Sequence, residues 1–137
     1  MSNLLEVIEL TKFFDMGRNQ RVHAVENVSL TIAEKEIVGL VGESGSGKST
    51  LGKTLLGLHD KTAGQVKFRG EVLPQKYEAK DFRRFATNMQ MIFQDPYSSL
   101  NPRMTIGEIV GEGLKLHQNH DSSIVRDKVA IWLEKVG

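Results

Sequence analysis

The sequence predicts an α/β fold in which a glycine-rich phosphate loop joins a strand to a helix, with a small antiparallel sheet alongside. Three observations carry this. Residues 37–41 (IVGLV) form a short apolar run leading straight into GESGSGKST at 42–50, the pattern of a strand buried on both faces feeding a loop. Segments 4–10 and 24–32 alternate apolar with polar residues, and Gly64 and Gly70 punctuate TAGQVKFRGEVL, as antiparallel strands with tight turns do. TIGE at 105–108 has capping-box spacing, a hydroxyl followed three residues later by a carboxylate, which starts a helix.

Taken in order, 4–10 reads as a strand, 13–20 (FFDMGRNQ) as a turn-rich stretch, and 24–32 as a second strand. The run at 37–41 follows as a buried strand. Leu51, Leu55, Leu56 and Leu58 give a helix over about 48–58. Residues 81–87 read as a short helix and 89–93 (MQMIF) as another strand, before the proline-bounded loop QDPYSSLNP. HQNHDSS reads as a polar loop, and a last helix carries Ile124, Val125, Val129, Trp132, Leu133 and Val136 on one face.

Composition narrows the function classes. The chain has 137 residues, 39% hydrophobic and 26% charged, which suits one soluble domain with a real core. A net charge of +1 gives no field that would recruit nucleic acid or an anionic membrane. With no cysteine, there is no disulfide framework, zinc thiolate or cysteine nucleophile. The N-terminus lacks the basic stretch and long apolar core of a signal peptide, and no window approaches a bilayer span. Membrane contact is therefore expected only through partners.

Gly42, Gly47, Lys48 and Ser49 meet the pattern G-x-x-x-x-G-K-[ST]. Glycines let successive N–H groups turn inward around phosphate oxygens. The following helix offers its unpaired N–H groups and positive dipole end to the same anion. Lys48 is expected to reach the terminal phosphates and the Ser49 hydroxyl to ligate Mg²⁺. The dinucleotide fingerprint G-x-G-x-x-G fails, since it would need glycine at Thr50. The loop, with Ser44, Gly45, Ser46 and Thr50 completing it, is read as a nucleoside triphosphate site.

Two stretches, VGESGSGKSTLGKTLLGL and MQMIFQDPYSSLNPRMTIGEIV, together resemble the ATP-binding subunits of ABC importers of the oligopeptide, dipeptide and nickel group. HAVENVSLTI and TAGQVKFRG are similar to that family as well. The resemblance runs along the whole chain but covers only the first half of a typical member. It implies a partial P-loop ATPase core with an antiparallel β-subdomain and the start of a helical subdomain. Phe14 matches the aromatic residue that stacks on adenine, with Phe13 as the competing choice. Gln94 matches the Q-loop glutamine, which contacts Mg²⁺ or the attacking water. Residues 97–104 would receive a coupling helix.

The implied cofactors are ATP and Mg²⁺. The implied partners are transmembrane permease subunits and a second ATP-binding subunit, in a homo- or heterodimer. The implied location is the cytoplasmic face of the cell membrane, as a peripheral protein.

Hydrolysis in such a family needs an apolar strand ending in Asp then Glu. Only MQMIFQD is superficially similar, and there Gln94 interrupts the run and Pro96 follows Asp95. The SGGQ signature and the switch histidine are not among these 137 residues either. The chain is thus expected to be an incomplete nucleotide-binding domain that binds ATP–Mg²⁺ at most. His117 and His120 lack a third ligand for a metal site, His23 and His59 have no sequence partner that would make them catalytic, and Arg83 and Arg84 suit a solvated face. Without later parallel strands, 37–41 would be left with uncovered edges and the isolated chain would be marginally stable. Two rivals remain: a small P-loop kinase, in which IFQDP…LNPRMTIGE would have no job, and a non-enzymatic fragment that binds permease or full-length subunit.

Overall fold

The structure is a computed structural model describing residues 3–17, 20–95, 97, 99–118 and 121–137. Arg18 and Asn19 of the expected turn, Pro96 and Ser98 of the proline-bounded loop, and His120 lie outside the described residues. The chain forms two compact units, Met1–Met91 and Ile92–Gly137.

In the first unit, the strands β1 (Asn3–Asp15) and β2 (Arg21–Ala33) make a long antiparallel hairpin. β3 (Ala63–Phe68) pairs antiparallel with the other edge of β1, and β4 (Glu71–Val72) with β3, giving the order β2-β1-β3-β4. β1 extends past the expected strand end, so Phe13 and Phe14 are strand residues opposite His23 and Val22. The turn-rich reading of 13–20 is corrected to that extent. One reason lies outside the hairpin: the Phe13 N–H donates to Thr62 Oγ1 at 3.0 Å.

The hairpin is irregular, and hydroxyls satisfy what the ladder leaves open. Glu9 and Asn27 adopt positive φ, 47° and 50°. The Glu9 N–H donates to Ser29 Oγ at 2.9 Å, and the Asn27 N–H donates to Thr11 Oγ1 at 3.0 Å. A bulge frees backbone groups that must find other partners. A further slip lies between the pairs Lys12↔Val25 and Phe13↔His23, which leaves Ala24 as an extra residue on β2.

The core sits where Val7, Leu10, Val25 and Val66 of the sheet meet Leu51 of helix α1 (Lys48–Leu55), with Leu73, Tyr77 and Phe85 at its far side. Leu10 and Val66 are wholly enclosed. Phe85 comes from α2 (Ala79–Phe85), which starts two residues before the expected 81. Arg84 of α2 makes a two-pronged ion pair with Glu71, 2.7 Å on each prong. Its guanidinium therefore ties α2 to β4 as well as facing solvent.

Two expected strands are not formed. Residues 37–41 and 89–93 take part in no sheet of the described residues. Ile37 and Val41 are 98% and 96% exposed, and Ile92 is 98% exposed. An extended segment becomes a strand only by pairing its N–H and C=O groups with a neighbour. Apolar character supplies the faces of such a strand but not its hydrogen-bond partners.

In the second unit, α3 (Ile106–Gln118) and α4 (Ser122–Val136) pack as a helical pair. The capping box at Thr105 is formed: its N–H and hydroxyl donate to Glu108 Oε2 at 2.8 and 2.9 Å, and Glu108 N–H donates to Thr105 Oγ1 at 3.3 Å. These bonds hold the Glu108 carboxyl below its ordinary pKa. α3 runs on through His117 and Gln118, so HQNHDSS is not loop from its first residue. Of the apolar face expected on α4, Val125 and Val129 are buried, whereas Ile124, Trp132, Leu133 and Val136 are exposed.

Candidate functional site

The phosphate loop is built by backbone conformation first. Gly45 and Gly47 take left-handed φ values of 80° and 91°, which side-chain-bearing residues rarely adopt. Gly47 also has no room for a side chain, because a Cβ there would run into the carbonyl oxygen of Ala24, the extra residue on β2. A Cβ on Gly42 would lie 2.7 Å from Ser46 Oγ. Ser46 N–H donates to the Glu43 carbonyl at 3.2 Å and closes the turn around Ser44 and Gly45.

Gly47 is the N-cap of α1, and the first intrahelical bond runs from Leu51 N–H to the Gly47 carbonyl at 2.8 Å. The N–H groups of the first turn, at Lys48, Ser49 and Thr50, therefore point out of the helix end, as they do at any helix start. Ser49 is exposed there. The Thr50 carbonyl accepts from Thr54 Oγ1 at 2.7 Å, within the helix. The Lys48 ammonium folds back over the loop, donating to the carbonyls of Gly42 (2.7 Å) and Glu43 (2.6 Å) and to Ser46 Oγ (3.1 Å). All three ammonium donors are thus committed to the loop.

A cavity of about 410 Å³ opens beside this loop. Gly42, Ser46, Gly47 and Lys48 line it together with Leu51 and the start of β2, including His23 and Glu26. His23 and Glu26 approach to 3.3 Å. Sequence reading missed this wall, since only the β1–β2 register brings His23 and Ala24 to the loop.

The aromatic pair at the end of β1 divides. Phe13 packs on His23, with centroids 4.3 Å apart, and so backs a residue of the cavity wall. Phe14 packs edge-on against His59, with centroids 5.2 Å apart and planes at 86°, and carries the Lys12 ammonium 4.9 Å from its ring centre. Phe14 is not among the residues lining the cavity. His59 is held below its ordinary pKa by burial, then by Lys12 and Lys53.

Gln94 lies in the second unit, exposed, in a bend just before Asp95. The loop after it is organised by side-chain turns. Tyr97 N–H donates to Asp95 Oδ1 at 3.1 Å, Ser99 Oγ to the Asp95 carbonyl at 2.9 Å, and Arg103 N–H to Asn101 Oδ1 at 3.0 Å. Among the described residues no group of three His, Cys, Asp or Glu side chains could hold a metal ion. No helix among them is long and apolar enough to cross a membrane.

The site thus combines left-handed Gly45 and Gly47, an open helix start at α1 and a lysine folded over the loop. The Bacillus subtilis putative oligopeptide transport ATP-binding protein YkfD is 48% identical over 123 residues, 90% of this chain and 37% of that protein. The B. subtilis oligopeptide transport ATP-binding protein OppF is 47% identical over 135 residues, 98% of this chain and 44% of that protein. The chain thus spans less than half the length of these relatives. Among solved structures, the dimeric ATP-binding cassette MJ0796 with ADP and Pi superposes with a TM-score of 0.81 at 25% identity, over 95% of this chain and 56% of that one. The family model described as ABC transporter matches residues 25–137, and the chain belongs to that family.

Proposed function

We propose that the chain is the N-terminal part of an ATP-binding subunit that energises peptide import, and that its own activity is to hold ATP–Mg²⁺. The observation that carries the binding reading is the loop at 42–50, with left-handed Gly45 and Gly47, the open start of α1 and Lys48 above it. Gly42, Ser44, Gly45 and Gly47 would surround the phosphates with backbone N–H groups, joined by Ser46 once its N–H leaves the Glu43 carbonyl. Lys48 would turn from the Gly42 and Glu43 carbonyls to the terminal phosphates, and Thr50 would add the N–H of the first turn. Ser49 would ligate Mg²⁺ through its hydroxyl, joined by Gln94 in a complete subunit. Mg²⁺, when bound, would neutralise charge on the phosphate oxygens. Phe14 would stack on the adenine.

Peptide as the transported solute rests on the names of the relatives, oligopeptide transport ATP-binding proteins. The proposed partners are permease subunits in the membrane and a second ATP-binding subunit, with the chain at the cytoplasmic face. Turnover is not proposed for this chain, because it carries no Asp-Glu pair at the end of an apolar strand. Calorimetric titration with ATP–Mg²⁺ tests the binding reading. Binding that Lys48→Ala weakens by roughly a hundredfold supports it, on the scale of charge-assisted contacts to phosphate; binding indifferent to that substitution sinks it. Steady ATPase activity lost in Lys48→Ala would mean that the chain does more than hold ATP–Mg²⁺.

A second reading is favoured by the exposure of Ile37, Val41 and Ile92. In it the chain is an interaction fragment that binds permease or full-length subunit through apolar segments. A pull-down against the permease subunits and against full-length ATP-binding subunit separates it from the first.

A further inference from the structure

Phe14 is the centre of a small cluster outside the phosphate cavity. Lys12 lies over its ring at 4.9 Å and His59 meets it edge-on at 5.2 Å. Lys53 of α1 and Asp60 also act on His59. The cluster is within reach of the loop. Phe14 pairs with Val22 on β2, and two residues further along β2 the Ala24 carbonyl abuts Gly47. Two residues of strand and one strand spacing amount to roughly 8 Å of backbone, which an extended nucleoside triphosphate bridges.

Lys12 is half-buried, and its ammonium is held over the phenyl ring only by the ring's electrostatic attraction, a contact that an incoming base can displace. An edge-on aromatic contact is directional, so His59 restrains the ring plane of Phe14 where Lys12 does not. We infer that His59 is the positioning residue for the base of the bound nucleotide: packed edge-on against Phe14, it fixes the ring plane on which the purine stacks. This rests on the reading of Phe14 as the base-stacking residue. Burial favours the neutral imidazole most, and Lys12 and then Lys53 add to that, while a backbone bond at Leu58 and the Asp60 carboxylate favour protonation. A charged imidazole would add a third cation beside the two lysines and loosen the pair.

The test compares ATP with inorganic tripolyphosphate on the 137-residue chain. Tripolyphosphate reads the loop alone, and the ratio of the two affinities reads the base. His59→Ala is expected to weaken ATP by roughly three- to tenfold and leave tripolyphosphate unchanged. His59→Phe, which keeps an aromatic edge, should restore ATP. The ratio should fall as pH drops from neutrality through the His59 titration in the wild type, and stay level in His59→Phe. If Phe14→Ala lowers the ratio and His59→Ala does not, positioning by His59 is overturned while the base-stacking reading stands. If Phe14→Ala also leaves the ratio unchanged, the base-stacking reading fails and the inference with it. If neither ligand binds, the phosphate-site reading itself has failed.

Discussion

Ala24 and Gly47 meet backbone to backbone: the carbonyl of the extra residue on β2 occupies the place that a Cβ on Gly47 would need. The bulge in the hairpin and the glycine at the head of α1 are therefore one feature. Gly47→Ala should fail twice, through its φ of 91° and through the clash. A left-handed alanine costs about 1 kcal/mol, and a backbone collision adds more, because a carbonyl cannot swing aside as a long side chain can. The expected loss is on the order of 3 kcal/mol of stability, together with loss of ATP binding. Urea unfolding read against the wild type checks it; a loss below about 0.5 kcal/mol would mean β2 does not press on the loop.

That relationship marks the limit of what the sequence discloses. The loop chemistry is local: spacing alone names Gly42, Gly47, Lys48 and Ser49, and the helix that follows is written in its leucines. The Thr105–Glu108 cap is equally local. The Ala24 bulge is not legible, since it depends on which residues of β1 it faces, and His23 enters the cavity wall only through that register. Residues 37–41 mislead for a related reason. IVGLV has the faces of a buried parallel strand, but strand formation requires a hydrogen-bonding neighbour that local sequence cannot specify.

Gly111 on α3 is a packing glycine, and its replacement sets two effects against each other. Alanine would gain about 1 kcal/mol of helix propensity. Its Cβ would lie 2.8 Å from Val125 Cγ1 and 3.3 Å from Val129 Cγ2, both on stiff β-branched side chains. Overpacking costs about 1–3 kcal/mol, so Gly111→Ala should be destabilising by about 1 kcal/mol net, and adding Val125→Ala should relieve part of the strain. Thermal melts of both variants decide it. A Gly111→Ala chain more stable than wild type would show that the helices can separate at no cost.

Stability should peak in alkaline solution. Burial pulls the Lys61 ammonium down to about 8 from 10.5, with Asp60 opposing. The ammonium donates to the Pro74 carbonyl and lies 5.3 Å from the Tyr77 ring centre. Between those pH values the unfolded chain holds a proton that the folded one has lost, so stability rises with pH. Burial, then Asp81, pushes Tyr77 up to about 12 from 10.0, and its hydroxyl has no partner among the described residues. Above its ordinary value the unfolded chain loses a proton that the folded one keeps, so stability falls. The two together place a maximum near pH 10. The rise from about pH 8 should amount to roughly 1–3 kcal/mol and vanish in Lys61→Met; a flat wild-type profile in denaturant titrations would count against a buried ammonium.

Ile37 distinguishes a formed strand from an unpaired one. At the centre of a sheet, a lysine there would bury a charge and cost several kcal/mol. In this chain Ile37 is 98% exposed, so Ile37→Lys should change stability by less than about 0.5 kcal/mol. It should also reduce self-association, because a charge breaks the apolar edge that unpaired backbone presents to other chains. Urea unfolding and light scattering across a concentration series measure the two effects. Unchanged stability with less association supports the exposed segment. A large loss of stability would mean that 37–41 finds a pairing partner in solution and is a buried strand there.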